Sequence, residues 1–282
     1  MRAQRRPFRM ASLVASILAV ILIAGCEPNE SSLNPVAPSS GDQNARAGAD
    51  KVVTHYGPAV PLGGGVARTF VSATKSGELM EIGIAISEKV LIALLKDGGE
   101  SYQKVLRFPS QFDIAPFQHV LMDWNAHGHE PEFLYGVPHF DFHFYMISSQ
   151  AREAIPGLPG NMMDPTLPAP QYLPVGYVPT PGRVPAMGTH WVDPSSPEFQ
   201  TPGGFTRTMI YGSYNYEVIF LEPMITLDYL LNGAKGTFQI KQPTDFAKAG
   251  NYPTQYSIRY DSQSKDYIVS IVNFVYHPGG VN

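Results

Sequence analysis

The chain has 282 residues, with 20 Lys and Arg against 24 Asp and Glu and eight histidines, for a formal net charge of −4. No basic run is present to follow a phosphate backbone, which excludes nucleic acid as a partner. The 26 Pro, 26 Gly, 15 Tyr and 15 Phe favour strands and long loops over helical bundles, and the single Cys excludes a thiolate metal site.

The N-terminus reads as an export leader. Arg2, Arg5, Arg6 and Arg9 precede an apolar stretch from Met10 to Gly25 that is broken only by Ser12 and Ser16. Its 16 residues are too few for a helix crossing roughly 30 Å of hydrocarbon, and fit the apolar core of a signal peptide. The stretch ends Leu22-Ile23-Ala24-Gly25-Cys26, which resembles the lipobox of bacterial lipoproteins. That resemblance implies cleavage after residue 25 and acylation of Cys26, anchoring the mature chain in a lipid membrane. Glu27, in place of Asp, leans by resemblance to lipoprotein sorting toward the outer membrane, facing the periplasm or the cell surface. Four of the 20 basic residues and none of the 24 acidic ones lie in the leader, leaving 16 against 24, a net of −8. Residues 26–50 are Ser, Asn, Pro, Gly and Ala with scattered charge. They bury too little to offset their ordering entropy and are expected to form a tether spanning about 25–30 Å.

The remainder, residues 51–282, is long enough for one large domain. Leu62-Gly63-Gly64-Gly65 is a flexible turn without the Lys of a phosphate loop, and Val66–Val71 follows it. Strands are expected at Met80–Ile86, Gln103–Phe108, His119–Trp124 and Pro138–Ser148, then at Thr206–Tyr211 and Glu217–Leu221 with Gly212 and Ser213 as the hairpin turn between them. Thr237–Lys241, Gln255–Tyr260 and Tyr267–Tyr276 complete the set. The last strand is apolar on both faces, which places it mid-sheet. Ser87 is expected to cap a short helix through Lys96 that buries Val90, Leu91, Leu94 and Leu95, and a second helix to run from Thr226 to Leu231. Residues 155–205 hold 12 of the prolines and seven glycines. The fold class is mainly β with a few short helices (α+β): a sandwich or barrel-like single domain wrapped by this Pro/Gly-rich arm.

Four histidines fall within 17 residues: His127, His129, His139 and His143. Along Pro138–Ser148 strict alternation puts His139, Asp141 and His143 on one face and Phe140, Phe142 and Phe144 on the other, as in a half-buried strand. Alternate residues lie about 6.7 Å apart, so His139 with Asp141, or Asp141 with His143, can share one ion, but all three cannot without a bend. If the flanking strands form a hairpin, the His127-Gly128-His129 loop folds back over that polar face, and His190 can join from the arm. Candidate metal ligands are therefore His127, His129, His139, Asp141, His143 and His190. Imidazole and carboxylate donors suit zinc, iron(II), manganese or copper(II). The competing interpretation is a structural network in which Asp141 braces its histidines without metal. Glu222, before Pro223, ends a strand and is within reach of the site, with an exposed strand-end acid as the default interpretation. No Gly-x-Ser-x-Gly elbow is present.

The run from Asp123-Trp124-Asn125 through His127-Gly128-His129-Glu130-Pro131 to Pro138-His139-Phe140-Asp141-Phe142-His143-Phe144-Tyr145 resembles the signature of an exported bacterial family. The domain of that family carries a label of unknown function, and its members are linked to sigma-E/anti-sigma-E envelope regulation. Met187-Gly188-Thr189-His190-Trp191 and Phe220-Leu221-Glu222-Pro223-Met224 are similar as well. The resemblance implies a β-rich domain and homo-oligomers over roughly residues 55–275, and supplies no activity. Three functions follow as expectations: a lipid-anchored divalent-metal-binding protein, a metal-dependent hydrolase or oxidoreductase using the same residues, and a structural or partner-binding lipoprotein without metal.

Overall fold

The computed structural model describes residues 50–97, 99–232 and 236–280. The expected leader, Cys26 and the tether up to residue 49 lie outside the described residues. From Ala49 onward the chain forms one compact unit. It is built from two antiparallel sheets, and the chain divides between them in a simple way. Sheet I begins with β1 (Val52–Tyr56), β2 (Val60–Leu62), β3 (Gly65–Thr74) and β4 (Leu79–Ser87), after which α1 (Glu88–Asp97) leads away. Sheet II is the whole middle of the chain: β5 (Tyr102–Arg107), β6 (His119–Asn125), β7 (His139–Tyr145), β8 (Val178–Pro179), β9 (Thr189–Val192), β10 (Arg207–Tyr214) and β11 (Glu217–Thr226). The chain then returns to sheet I with β12 (Gly236–Gln239), β13 (Gly250–Asp261) and β14 (Asp266–His277). Strand order is β1-β3-β4-β14-β13-β12 in sheet I, with β2 beside β3, and β5-β6-β7-β11-β10-β9-β8 in sheet II. Both sheets stay open, so the fold is a sandwich and not a closed barrel.

Alternation decides what lies between the sheets. Ile82, Ile84 and Ile86 of β4 and Val269 and Ile271 of β14 meet Val120, Met122 and Trp124 of β6 and Phe140, Phe142 and Phe144 of β7 in one cluster. Each of these side chains is fully or almost fully buried, worth about 1.5–3 kcal/mol apiece. As expected for a strand apolar on both faces, β14 is central, between β4 and β13. Helix α1 turns Val90, Leu91 and Leu94 onto the core. Leu95, expected beside them, is exposed, because it lies one residue outside the stripe that reaches the sheet.

The outer face of sheet II is covered as well. Short helices α2 (Glu132–Tyr135), α3 (Ser149–Glu153), α4 (Pro197–Gln200) and α5 (Leu227–Leu231) and their flanking loops accompany this sheet. A second apolar cluster on the covered face joins Leu121, Tyr145, Ile210, Phe220 and Met224 of the sheet to Tyr135, Ile155 and Phe205 of the covering segments. The Pro/Gly-rich arm supplies the last two strands of the sheet, β9 and the edge strand β8, and much of this cover. Asp164 fastens it, accepting bonds from Arg183 Nη1 at 2.9 Å and Thr189 Oγ1 at 2.8 Å.

Three expectations need correction. Strand β7 is buried on both faces, because the cover hides the polar side that alternation alone assigns to solvent. Gly212 and Ser213 are not the hairpin turn; they lie inside β10, next to a register shift in its pairing with β11. The turn falls at Asn215 and Tyr216, both with positive φ, the backbone that a tight two-residue hairpin demands. Finally, β11 does not stop at Leu221 but continues through Pro223 to Thr226.

Candidate metal centre

The covered face of sheet II carries an unusual concentration of buried polar groups, and the register accounts for it. Asp123 of β6 stands directly opposite Asp141 of β7, although like charges opposed across a ladder destabilise a sheet. Between β7 and β11 the pairs Phe144↔Leu221 and Asp141↔Met224 bracket Glu222, which therefore faces His143. At the far side of the sheet β9 brings His190 opposite Gly212, one row from Glu222. Asp123, Asp141 and Glu222 are all buried, as are His139 and His143.

These residues form two groups, each of two histidines and one carboxylate, whose ligand atoms lie within 4.8 Å of one another: His129, His139 and Asp141, and His143, His190 and Glu222. In the first, His139 Nε2 is 3.2 Å from Asp141 Oδ1 and His129 Nε2 is 3.5 Å from Asp141 Oδ2. In the second, His143 Nε2 is 3.4 Å from Glu222 Oε1 and His190 Nε2 is 3.7 Å from Glu222 Oε2. Of the two pairs that strand spacing allows, His139 with Asp141 is the one realised, and His143 belongs to the other group. The His-Gly-His loop does fold back. Gly128 has φ +73° and no room for a Cβ, which would sit 2.1 Å from Tyr135 O, and this lets the His129 amide reach Tyr135 O at 3.2 Å. His127, a candidate by sequence, is exposed and belongs to neither group, because the same turn that directs His129 inward directs its neighbour out.

The tautomers are set by the backbone. His139 Nδ1 donates to Val137 O at 2.6 Å and His129 Nδ1 to Glu130 O at 2.7 Å. Each imidazole therefore turns its Nε2 toward the carboxylate, the arrangement by which second-sphere acceptors prepare histidine for a metal. His143 Nδ1 lies 3.5 Å from Asp123 Oδ2, so Asp123 stands behind His143 as the carbonyls stand behind His129 and His139. Asn125 Nδ2 donates to Asp141 Oδ2 at 2.7 Å and holds that carboxylate in place.

Burial dominates the electrostatics. It pushes Asp123 up to about 8, with the Asp141 charge adding to the rise, and it carries Glu222 well above the usual carboxylate range. Burial also lowers His143 to about 3 and His190 to about 4. For Asp141, burial would raise the pKa, but the bonds and charges of His129 and His139 outweigh it and hold the group low. Both Asp123 oxygens, Asp141 Oδ1, both His143 nitrogens and Glu222 Oε2 are buried without a hydrogen-bond partner among the described residues. Orphaned groups of this kind are costly unless something satisfies them.

Above the site a cavity of about 1090 Å³ reaches the surface. Asp123, Asp141, His143, His190 and Glu222 lie among its lining, as do the apolar side chains Met187, Val192, Ile210 and Met224. The default interpretation of Glu222 as an exposed acid is overturned, since it is buried in β11; the proline after it argued against a central strand. Here Pro223 falls where the β7–β11 ladder has no pair, so the missing N–H removes no ladder bond on that side. No family model matches the chain, and neither a curated protein nor a solved structure does.

Proposed function

We propose that this is a membrane-tethered, extracytoplasmic protein that binds divalent transition-metal ions through His129, His139 and Asp141 and through His143, His190 and Glu222. The observation that carries this reading is the N···O separations, 3.2–3.7 Å in the two groups. A charge-assisted hydrogen bond between histidine and carboxylate closes to about 2.7–2.9 Å. Donors bound to one ion at about 2.0–2.2 Å instead stand about 2.9–3.6 Å apart. Three of the four separations fall in that range and the fourth, His190 Nε2 to Glu222 Oε2 at 3.7 Å, just beyond it, so the groups are spaced more nearly as ligands around a common centre than as closed ion pairs. Buried carboxylates with no Lys or Arg in the cavity lining also call for a cation from elsewhere. Two imidazoles and a carboxylate suit zinc, iron(II), manganese(II) or copper(II). The lipid anchor at Cys26 rests on the leader, and places the centre in the cell envelope.

A metal-dependent enzyme is the second reading, and the cavity favours it. Ligands at the base of an open space leave coordination positions that a reactant can reach, whereas a purely structural ion is enclosed.

Elemental analysis of residues 27–282, purified without an affinity histidine tag, tests the proposal. We expect near-stoichiometric metal, with two ions per chain at saturation. His139→Ala and His190→Ala should each lower the content by about one ion, and His127→Ala should leave it unchanged. Absence of metal after incubation with zinc, iron(II), manganese(II) and copper(II) would refute it.

A further inference from the structure

The cavity's lining divides by chemistry. Asp123, Asp141, Glu222 and the histidines form its floor with Ile210 and Met224 beside them on the same sheet face, Met187 and Val192 come from the arm, and exposed residues such as Ser101 and Val184 stand at its rim. Tyr135 and Tyr102 also line it, and the hydroxyl of each is buried without a partner among the described residues. A space of this size, mostly apolar and with a few convergent polar groups, is of the kind that takes a small organic molecule.

Charge selects the head of that molecule. This step rests on the metal-binding reading above. With a divalent ion in each group, four positive charges stand against the three buried carboxylates, leaving one positive charge at the floor, while Glu130, the fourth carboxylate of the lining, is exposed to solvent. A monoanion neutralises it. The lining contains no Lys or Arg, so a phosphate or sulfate head would lack the donors that such groups recruit. A single carboxylate needs fewer: the metal centre for its charge and the unpartnered Tyr135 hydroxyl as donor. The four apolar side chains then take an aliphatic or aromatic tail extending toward the rim.

We propose that the cavity binds an apolar organic monocarboxylate, head to the metal centre and tail along Met187, Val192, Ile210 and Met224. The proposal separates cleanly from its opposite. Without metal that positive charge is lost, and an organic amine serves as the contrasting ligand.

Calorimetric titration of octanoate and octylamine into residues 27–282, zinc-loaded and zinc-free, tests this, with zinc content measured on every sample. Octanoate is expected to bind the zinc-loaded protein one to one and the zinc-free protein at least tenfold more weakly, while octylamine shows no preference for the loaded form. Met187→Glu on the arm should weaken octanoate at least tenfold with zinc retained, and the milder Ile210→Ala should weaken it in the same direction. Zinc-loaded protein that ignores octanoate, or that binds octylamine as tightly, would overturn the ligand assignment while leaving metal binding intact. A protein that takes up no zinc would overturn both.

Discussion

At the scale of single residues, burial without partners is the theme, and His119 shows it away from the metal ligands. It occupies the covered face of β6, stacked on Tyr145 at 5.0 Å between ring centroids, with both nitrogens unpartnered. Burial lowers it to about 4 from 6.5, with the Arg152 charge adding to the effect. The folded chain therefore holds His119 neutral where the unfolded chain protonates it. Its stabilising contribution is complete above pH 6.5 and is lost as pH falls toward 4. In His119→Phe, unfolding midpoints at pH 7 and pH 5 should differ less than in the parent, by up to about 1.4 kcal/mol for each pH unit. An unchanged difference would mean that His119 reaches a proton acceptor in the folded state. Residue-scale chemistry was only partly legible in the sequence. Alternation along β7 placed His139, Asp141 and His143 on one face, and the strand spacing showed that the three do not share one ion but left open which of the histidines pairs with Asp141. The partners of His143 come from β9 and β11, distant in sequence, and no local pattern marks them. Glu222 was further concealed by the proline behind it.

At the scale of elements, one glycine holds the second group in place. Gly212 lies opposite Phe220 across β10 and β11, and a Cβ there would meet the Phe220 ring at 1.9–2.0 Å. The ring fills the space a side chain would take and in turn packs against His143 at 4.9 Å and His190 at 5.3 Å. Gly212→Ala must therefore displace Phe220 toward the two imidazoles. We expect a loss of stability of about 1–3 kcal/mol, as for other overpacked cores, together with loss of one of two bound ions, measured by denaturant unfolding and elemental analysis. Retention of both ions in a folded Gly212→Ala protein would show that the ring does not position the histidines. Sequence reasoning saw Gly212-Ser213 as a turn because glycine punctuates strands; it had no means of knowing that an aromatic ring opposite makes the glycine obligatory. Most strands were legible at their centres, where alternation is strong, and misjudged at their ends, where cross-strand partners decide.

At the scale of the molecule, the proposed metal centre joins the arm to the sheet. His190 lies on β9, and Met187 just before it lines the cavity. Metal held between His190 and Glu222 would tie the arm to β11. Ions that bind only the folded chain stabilise it by about 2.7 kcal/mol each when present at a hundredfold over Kd. Chelation should therefore lower the unfolding midpoint and speed proteolysis within residues 155–188 before the sheets are cut. An arm equally resistant with and without metal would mean that Asp164 and its partners suffice to hold it. That the arm lies over the two groups of histidines and carboxylates was not legible from its composition, since Pro and Gly report local backbone freedom and say nothing about what the segment lies against.

The division of the chain between the two sheets has a consequence for the order of events after synthesis. Sheet II is contiguous in sequence, whereas sheet I is closed by β4 pairing with β14, from Ser87↔Asp266 to Glu81↔Val272. Contacts so distant along the chain form slowly, because a large loop must close before any of them is rewarded. In a chain made N-terminus first, β4 emerges long before β14. Until then Ile82 and Ile84 lack their neighbours, and the strand edge stands open to other chains. Strand β14 is thus the clasp of sheet I, and a truncation that removes it should release aggregates and not a smaller folded protein.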